Sequence, residues 1–500
     1  VYNPQTMPTS APVPDGSYED GPAHADHGTV LDRGITLGGA VSLNLMNMIG
    51  VGPFITLPLV VAALGPGAWL GWLLGALLAV CDGLVWAELG AALPRAGGSY
   101  AFLREIYKAA PGKGERSWDA GRLLSFLYVW QLLFTAPLSI ASGALGLAQY
   151  AAFVFPGLRH VFVQGPIQLR ATSLLAAIVC ALVVTLLYRG LGAVTRTAGV
   201  LSVGVLLTLV AVIVVGLTHL HAPLVAAQLH WPHGSNGSNG SGLLEALGAA
   251  TLITTYDYWG YYNVCFLGGE VRDPGRTIPR AVLGSIALVA ALYLLMNFAV
   301  IGALPAASFA GHTAAGHAAS VEPIAAVLMR TTLHGVFGRA ASVTIAVLIM
   351  WTAFASVVAL LLGYSRAPFA AAQQGNFFAP FARLHPRRGF PHIALLVLGA
   401  MAALFCFFDL RTVISALVAV RIVLQYGLQQ TGVIVLRLRQ PALARPFRMW
   451  LYPLPPLLAL AGFAFLLLAR KGAGRELLFA LLLAISGALL FGWRERRRLK

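Results

Sequence analysis

MNMIGVGPFITL (residues 46–57) lies within an uncharged run that extends over residues 34–64. A helix rises about 1.5 Å per residue, and roughly 20 apolar residues cross about 30 Å of hydrocarbon. As one straight helix the run would overshoot a bilayer, so it must tilt or break. Gly50 and Gly52 loosen the backbone, and Pro53 removes a donor and disfavours helix at Gly52. An unwound point inside a membrane helix is therefore predicted. Glycines also serve close helix packing in membranes, which is the simpler explanation of this motif alone. A second irregular centre, YDYWGYYN (256–263), is too aromatic and polar for a lipid-facing helix. Paired breaks in corresponding helices point to a binding site near the membrane midplane. N–H groups at the start of one half-helix suit a carboxylate, and carbonyls at the end of the other suit an ammonium, so a zwitterion matches both.

Composition agrees with a membrane chain. Of 500 residues, 58% are hydrophobic and 10% charged, with a mean hydropathy of +0.77, which excludes an ordinary soluble domain. The net charge of +16 does not imply nucleic-acid binding, because the basic residues fall in short loops between apolar stretches, where they act as topology signals. Cys81, Cys180, Cys265 and Cys406 lie inside apolar stretches as small hydrophobes, with no disulfide framework and no metal-binding pair. No set of nucleophile, base and oxyanion donors is apparent in the spans, so an enzyme is not expected, nor is a cofactor.

About twelve membrane helices are predicted, near residues 36–63, 68–93, 122–151, 171–189, 197–218, 243–268, 281–303, 340–370, 391–409, 411–436, 450–469 and 475–492. Residues 321–337 are too short and polar to cross and are expected to lie over the outer mouth. Most of the 34 lysines and arginines fall on the side that holds both termini, which places those termini in the cytoplasm of a multi-pass inner-membrane protein. Residues 1–33 lack the layout of a cleaved signal peptide and read as a disordered tail. The Gly, Ser and Asn run at 234–242 separates two sets of five spans, so the second set starts from the opposite side as an inverted repeat. The transporter domain is then 34–493, with repeats at 34–220 and 243–438 and two extra helices at 449–493. The basic tail 494–500 meets anionic lipid headgroups. Asn236 and Asn239 match the glycosylation pattern, but low complexity explains the match.

Three further motifs carry a resemblance: VWAELGAALPRAGGSYAFLREIY (85–107), GGEVRDPGRTIPRAV (268–282) and YSRAPFAAAQQGNFFAPFARLHP (364–386). Together with GVGPF (50–54), in order and spacing, they resemble the amino acid, polyamine and organocation transporter superfamily over nearly the whole chain. WQLLFTAPLS (130–139) is closest in pattern to its L-type amino acid and plant polyamine branches. The resemblance implies an all-α membrane protein of LeuT type, with an inverted repeat of five plus five helices and two additional C-terminal helices, working by alternating access. It implies substrate contacts around Met48, Ile49, Gly50, Val51 and Gly52 and from Tyr256, Asp257 and Trp259, with Tyr256 as an aromatic gate. Two positions depart from the pattern. Val205 stands where many sodium-independent relatives carry lysine, which leaves proton or sodium coupling open. Pro53 replaces a residue whose N–H helps hold a carboxylate, which keeps an amine substrate open.

Charges within spans are costly and become functional candidates. They are Asp82, Glu88, Asp257, Glu270 and Arg421. Glu88 and Glu270 stand beside Arg95 and Arg272 in sequence, as an inner gate or a fold-stabilising ion pair. Asp82 has no evident partner and is either a carrier of a coupling proton or a buried protonated acid. Asp257 and Arg421 fall at similar depth and are expected to pair in one state of a transport cycle. The simpler alternative has Arg421 facing the last two spans and Asp257 capped by hydroxyls. His219, His221, His230 and His233 surround an outer loop, better explained by solvation than by a metal. The leading expectation is a small-molecule carrier for amino acids in the bilayer, proton-coupled or exchanging. A polyamine or organic-cation carrier is the alternative, and a non-transporting membrane sensor is the alternative of another class.

Overall fold

A computed structural model describes residues 33–109, 119–163, 169–189, 191–228, 240–310, 322–408, 420–468 and 473–498. All but Arg33 of the predicted tail at 1–33, most of the 234–242 linker with Asn236 and Asn239, and His230 and His233 lie outside them. Apart from a short hairpin of Val161–Val163 against Leu169–Arg170, the described architecture is helical.

The first span is two helices. α1 (Leu37–Met48) starts at Thr36, whose hydroxyl accepts the Gly39 N–H, and ends where Ile49 leaves helical geometry. α2 (Gly52–Leu64) begins with Pro53 in its first turn, where a missing N–H costs nothing. There follow α3 (Trp69–Ala92), α4 (Ser99–Ile106), α5 (Ala120–Val154), α6 (Ala171–Arg189), α7 (Leu191–Thr218) and α8 (Ala222–Gln228). The sixth span is also interrupted, as α9 (Gly240–Tyr258) and α10 (Asn263–Phe266). Between them Gly260 has φ +130°, a region closed to side-chain-bearing residues.

α11 (Pro274–Ala303) starts seven residues before the predicted boundary, because Asp273 turns left-handed and Pro274 is suited to a first helical position. After α12 (Ala307–Ala310), α13 (Ile324–Leu333) occupies the segment judged too short to span. It packs across α14 (Gly335–Tyr364) and also touches α7 and α2. α15 (Arg366–Gln373) continues from α14, and α16 (His392–Phe405) follows. The tenth predicted span is described from Val420: a π turn at Ile422–Gly427, not anticipated, leads into α17 (Leu428–Arg439). α18 (Leu454–Leu468) and α19 (Ala473–Arg498) end the chain.

Seven helical stretches among the described residues are long and apolar enough to cross a membrane. The outward faces of α6 and α7 expose Ile178, Leu182, Val200, Val203 and Leu207, an apolar surface suited to lipid. Inside, α3 packs along α11 and α9, and α5 along α14 and α16.

The two interrupted spans run side by side. Ile35 N–H donates to the Glu270 carbonyl (2.9 Å) and Arg272 N–H to the Ile35 carbonyl (3.0 Å). Val264 N–H donates to Asn44 Oδ1 (3.0 Å). A Cβ on Gly260 would lie 2.8 Å from backbone atoms of Asn47 and Met48, so only glycine lets the breaks touch.

Candidate functional site

Both breaks open onto one cavity of about 90 Å³, walled on the far side by α5 and α14. Of the predicted contact residues, Met48, Gly50, Val51, Gly52, Tyr256, Asp257 and Trp259 line it; Ile49 is fully buried elsewhere. Arg421 lines it too. At the first break no backbone hydrogen bond reaches the N–H of Gly50, Val51 or Gly52 among the described residues. Its carbonyls are engaged: Met48 accepts the Tyr293 hydroxyl (2.8 Å) and Gly50 the Thr352 hydroxyl (3.4 Å).

Asp257 is 3% exposed. Thr56, one turn into α2, donates its hydroxyl to Asp257 Oδ2, while Oδ1 has no hydrogen-bond partner. Capping by a hydroxyl is the arrangement the simpler alternative described. The same alternative is corrected for Arg421. It does not face the last two spans; it turns to α5, α14 and the second helix break, donating to Ser139 Oγ (3.0 Å), the Thr135 carbonyl (3.5 Å), Tyr364 Oη (2.9 Å) and Tyr262 Oη (3.3 Å). The guanidinium also lies 5.6 Å from the Trp259 ring centroid and 5.2 Å from that of Tyr364. No ion pair joins Asp257 to Arg421 here.

Tyr256 reaches across the cavity, its hydroxyl 2.7 Å from that of Ser142 on α5, and its ring stands edge-on to Trp259. Ser139, Ser142 and Gly143 present a helical stripe on α5, and Ser356, Leu360 and Tyr364 another on α14. Sequence reasoning missed these stripes and Thr56. The signal was small and hydroxyl-bearing residues at spacings of three and four within otherwise apolar helices.

The remaining ionisable candidates lie away from the cavity. Asp82 is fully buried and takes hydrogen bonds from Tyr261 Oη and Gln430 Nε2, partners distant in sequence. The expected neighbours of Glu88 and Glu270 are also corrected. Glu88 accepts from Arg437 Nε (2.8 Å) and Nη2 (2.5 Å) and from the Met449 N–H (2.8 Å), with Arg445 Nε at 3.6 Å. Arg95 instead stands 3.9 Å from Glu105. Glu270 pairs with the buried Arg366 (3.0 Å), while Arg272 donates to the Arg33 carbonyl. Adjacency in sequence misled because α15, α17 and the segment after α17 bring arginines in from elsewhere in the chain. His219 bonds to Thr218 and the Val215 carbonyl.

The amino acid permease family model matches residues 38–487. The serine/threonine exchanger SteT of Bacillus subtilis is 28% identical over 435 residues, covering 86% of this chain and 89% of the exchanger. The Asc-type amino acid transporter 1 of Mus musculus is 28% identical over 454 residues, covering 89% and 77% respectively. The large neutral amino acids transporter small subunit 2 of the same organism is 26% identical over 463 residues, covering 91% and 80%. With its helical membrane architecture and a family match that runs nearly end to end, the chain belongs to the amino acid permease family of the amino acid, polyamine and organocation superfamily.

Proposed function

We propose that the protein is a secondary carrier of amino acids that works by alternating access, with twelve spans in a five-plus-five inverted repeat and two extra helices. In this reading it lies in the inner membrane with both termini cytoplasmic. The observation that carries the reading is the cavity at which the two helix breaks meet, lined by Asp257 and Arg421 and by unpaired backbone N–H groups. A small cavity with one buried charge of each sign suits a compact zwitterion. A polyamine is favoured by Asp257 alone and opposed by Arg421, whose charge would repel it.

The serine/threonine exchanger and the two amino acid transporters among the relatives support the substrate class, and the exchanger supports exchange. Asp82 supports proton coupling, because its partners carry no charge and the Tyr261 hydroxyl can donate to the carboxylate or accept from the protonated acid. The Arg366–Glu270 pair ties the segment after α10 to α15 and serves as an inner gate.

Counterflow in proteoliposomes tests the reading. Preloading with unlabelled amino acid is expected to drive uptake of labelled amino acid, with competition by amino acids and none by putrescine or spermidine. An imposed pH or sodium gradient then identifies the coupling ion. Binding without counterflow would indicate a sensor, and polyamine competition a polyamine carrier.

Tyr256 closes the cavity in this reading. Tyr256→Ala is expected to raise KM about tenfold, equivalent to about 1.4 kcal/mol. Tyr256→Phe, which keeps the ring and loses only the bond to Ser142, is expected to cost less. An unchanged KM in Tyr256→Ala would make the ring mere packing.

A further inference from the structure

The π turn at Ile422–Gly427 begins directly after Arg421. Residues five apart diverge around a regular α-helix, whereas the i→i+5 bonding of a π turn returns them to one face. Arg421 and Tyr426 are such a pair, and both reach the ring of Trp259. The Arg421 guanidinium lies 5.6 Å from its centroid, and the Tyr426 ring lies 5.0 Å away. Tyr426 is fully buried and stacks in turn on Phe463 of α18, at 4.9 Å. Tyr256 adds an edge-on contact at 6.1 Å. The indole N–H of Trp259 has no hydrogen-bond partner, so packing holds this ring in place.

That ring is a wall of the cavity, which measures about 90 Å³. An apolar cavity of about 150 Å³ accepts benzene. The ammonium, α-carbon and carboxylate common to all amino acids are nearly as bulky as benzene, so they leave room for only a short side chain. The wall is also braced against retreat. Displacing Trp259 outward drives it into Tyr426, and Tyr426 into Phe463, and close-packed interiors resist such overpacking.

We infer that Trp259, braced by the π turn, sets an upper limit on substrate size, so that the carrier takes amino acids as small as glycine, alanine and serine and excludes leucine and the aromatic ones. This rests on the amino acid carrier reading and names the substrate class within it. Trp259 is the specificity residue. Tyr426 does not line the cavity and is a positioning residue that acts through Trp259.

The test uses the full-length carrier in lipid nanodiscs and measures binding of the twenty L-amino acids. Alanine is expected to bind at least about tenfold tighter than leucine, phenylalanine or tryptophan. Trp259→Ala is expected to raise the affinity for phenylalanine relative to alanine at least about tenfold. Tyr426→Leu removes the brace and leaves the lining intact, and is expected to move the same ratio in the same direction by less. Purely structural damage would weaken both amino acids alike, so an unchanged ratio in the folded variants overturns the role of Trp259. Where Trp259→Ala binds nothing, Tyr426→Leu decides. Phenylalanine binding to the wild-type protein as tightly as alanine overturns the size limit and leaves the carrier reading intact, whether or not either variant folds. Failure of the wild-type protein to bind any of the twenty overturns the carrier reading itself and the limit with it.

Discussion

Gly52→Ala is expected to lower transport by up to about a hundredfold in a protein that still folds and inserts. The sequence already places Gly52 at the unwound point of the first span. The structure names what would be crowded: even one methyl group would overlap Asp257 Oδ1. Asp257 cannot retreat freely, because Thr56 holds its other oxygen and Tyr293 approaches its carbonyl (3.5 Å). Overpacking costs about 1–3 kcal/mol, and here it falls on the groups that meet the substrate, so uptake is expected to fall up to roughly a hundredfold. Gly284→Ala is the control, since a Cβ there meets nothing within 4 Å. Counterflow at matched protein content compares the two. Near-normal uptake by Gly52→Ala would move the site away from this break.

Glu88→Gln is expected to destabilise the fold more than it alters transport. Glu88 is 1% exposed and gathers Arg437, Arg445 and the Met449 N–H, joining α3 to the end of α17 and to the segment before α18. Removing its charge leaves Arg437 and the nearly buried Arg445 without their shared counter-charge. Breaking a buried pair from one side costs about 3–5 kcal/mol, far above the 0–1 kcal/mol typical of exposed pairs. Thermal unfolding in detergent should show a clearly lowered midpoint, with uptake per folded molecule retained. A normal midpoint with altered uptake would assign Glu88 to gating instead.

The places where the chain breaks were legible because backbone chemistry is local. Gly50, Gly52 and Pro53 unwind a helix wherever they occur together, and Gly260 amid aromatic residues does the same. Of the residues expected to contact substrate at the two breaks, all but Ile49 line the cavity, whereas its walls on α5 and α14 were not foreseen. Partnerships between charges were not legible. Glu88 and Arg437 are separated by 349 residues and Thr56 and Asp257 by 201. Hydrophobic periodicity reports which face of a helix is apolar but not which helix will face it. The hydroxyl stripes of α5 and α14 were present in the sequence, yet single serines and threonines bond to their own helix so readily that they carry little signal alone.

The backbone bonds at Ile35, the Asn44 bond to Val264 and the contact of Gly260 with Asn47 and Met48 stitch the two broken helices into one seam. Parting them would sever several of these bonds at once, each worth about 0.5–1.5 kcal/mol net. On the opposite side, toward α14 and α15, the ties are side-chain ones: Asn263 Nδ2 to the Ala359 carbonyl (3.1 Å) and Glu270 to Arg366. A rocking motion that keeps the stitched pair whole therefore meets less resistance than one that unzips it. Under the alternating-access cycle proposed above, the interrupted helices are then expected to move together as one body.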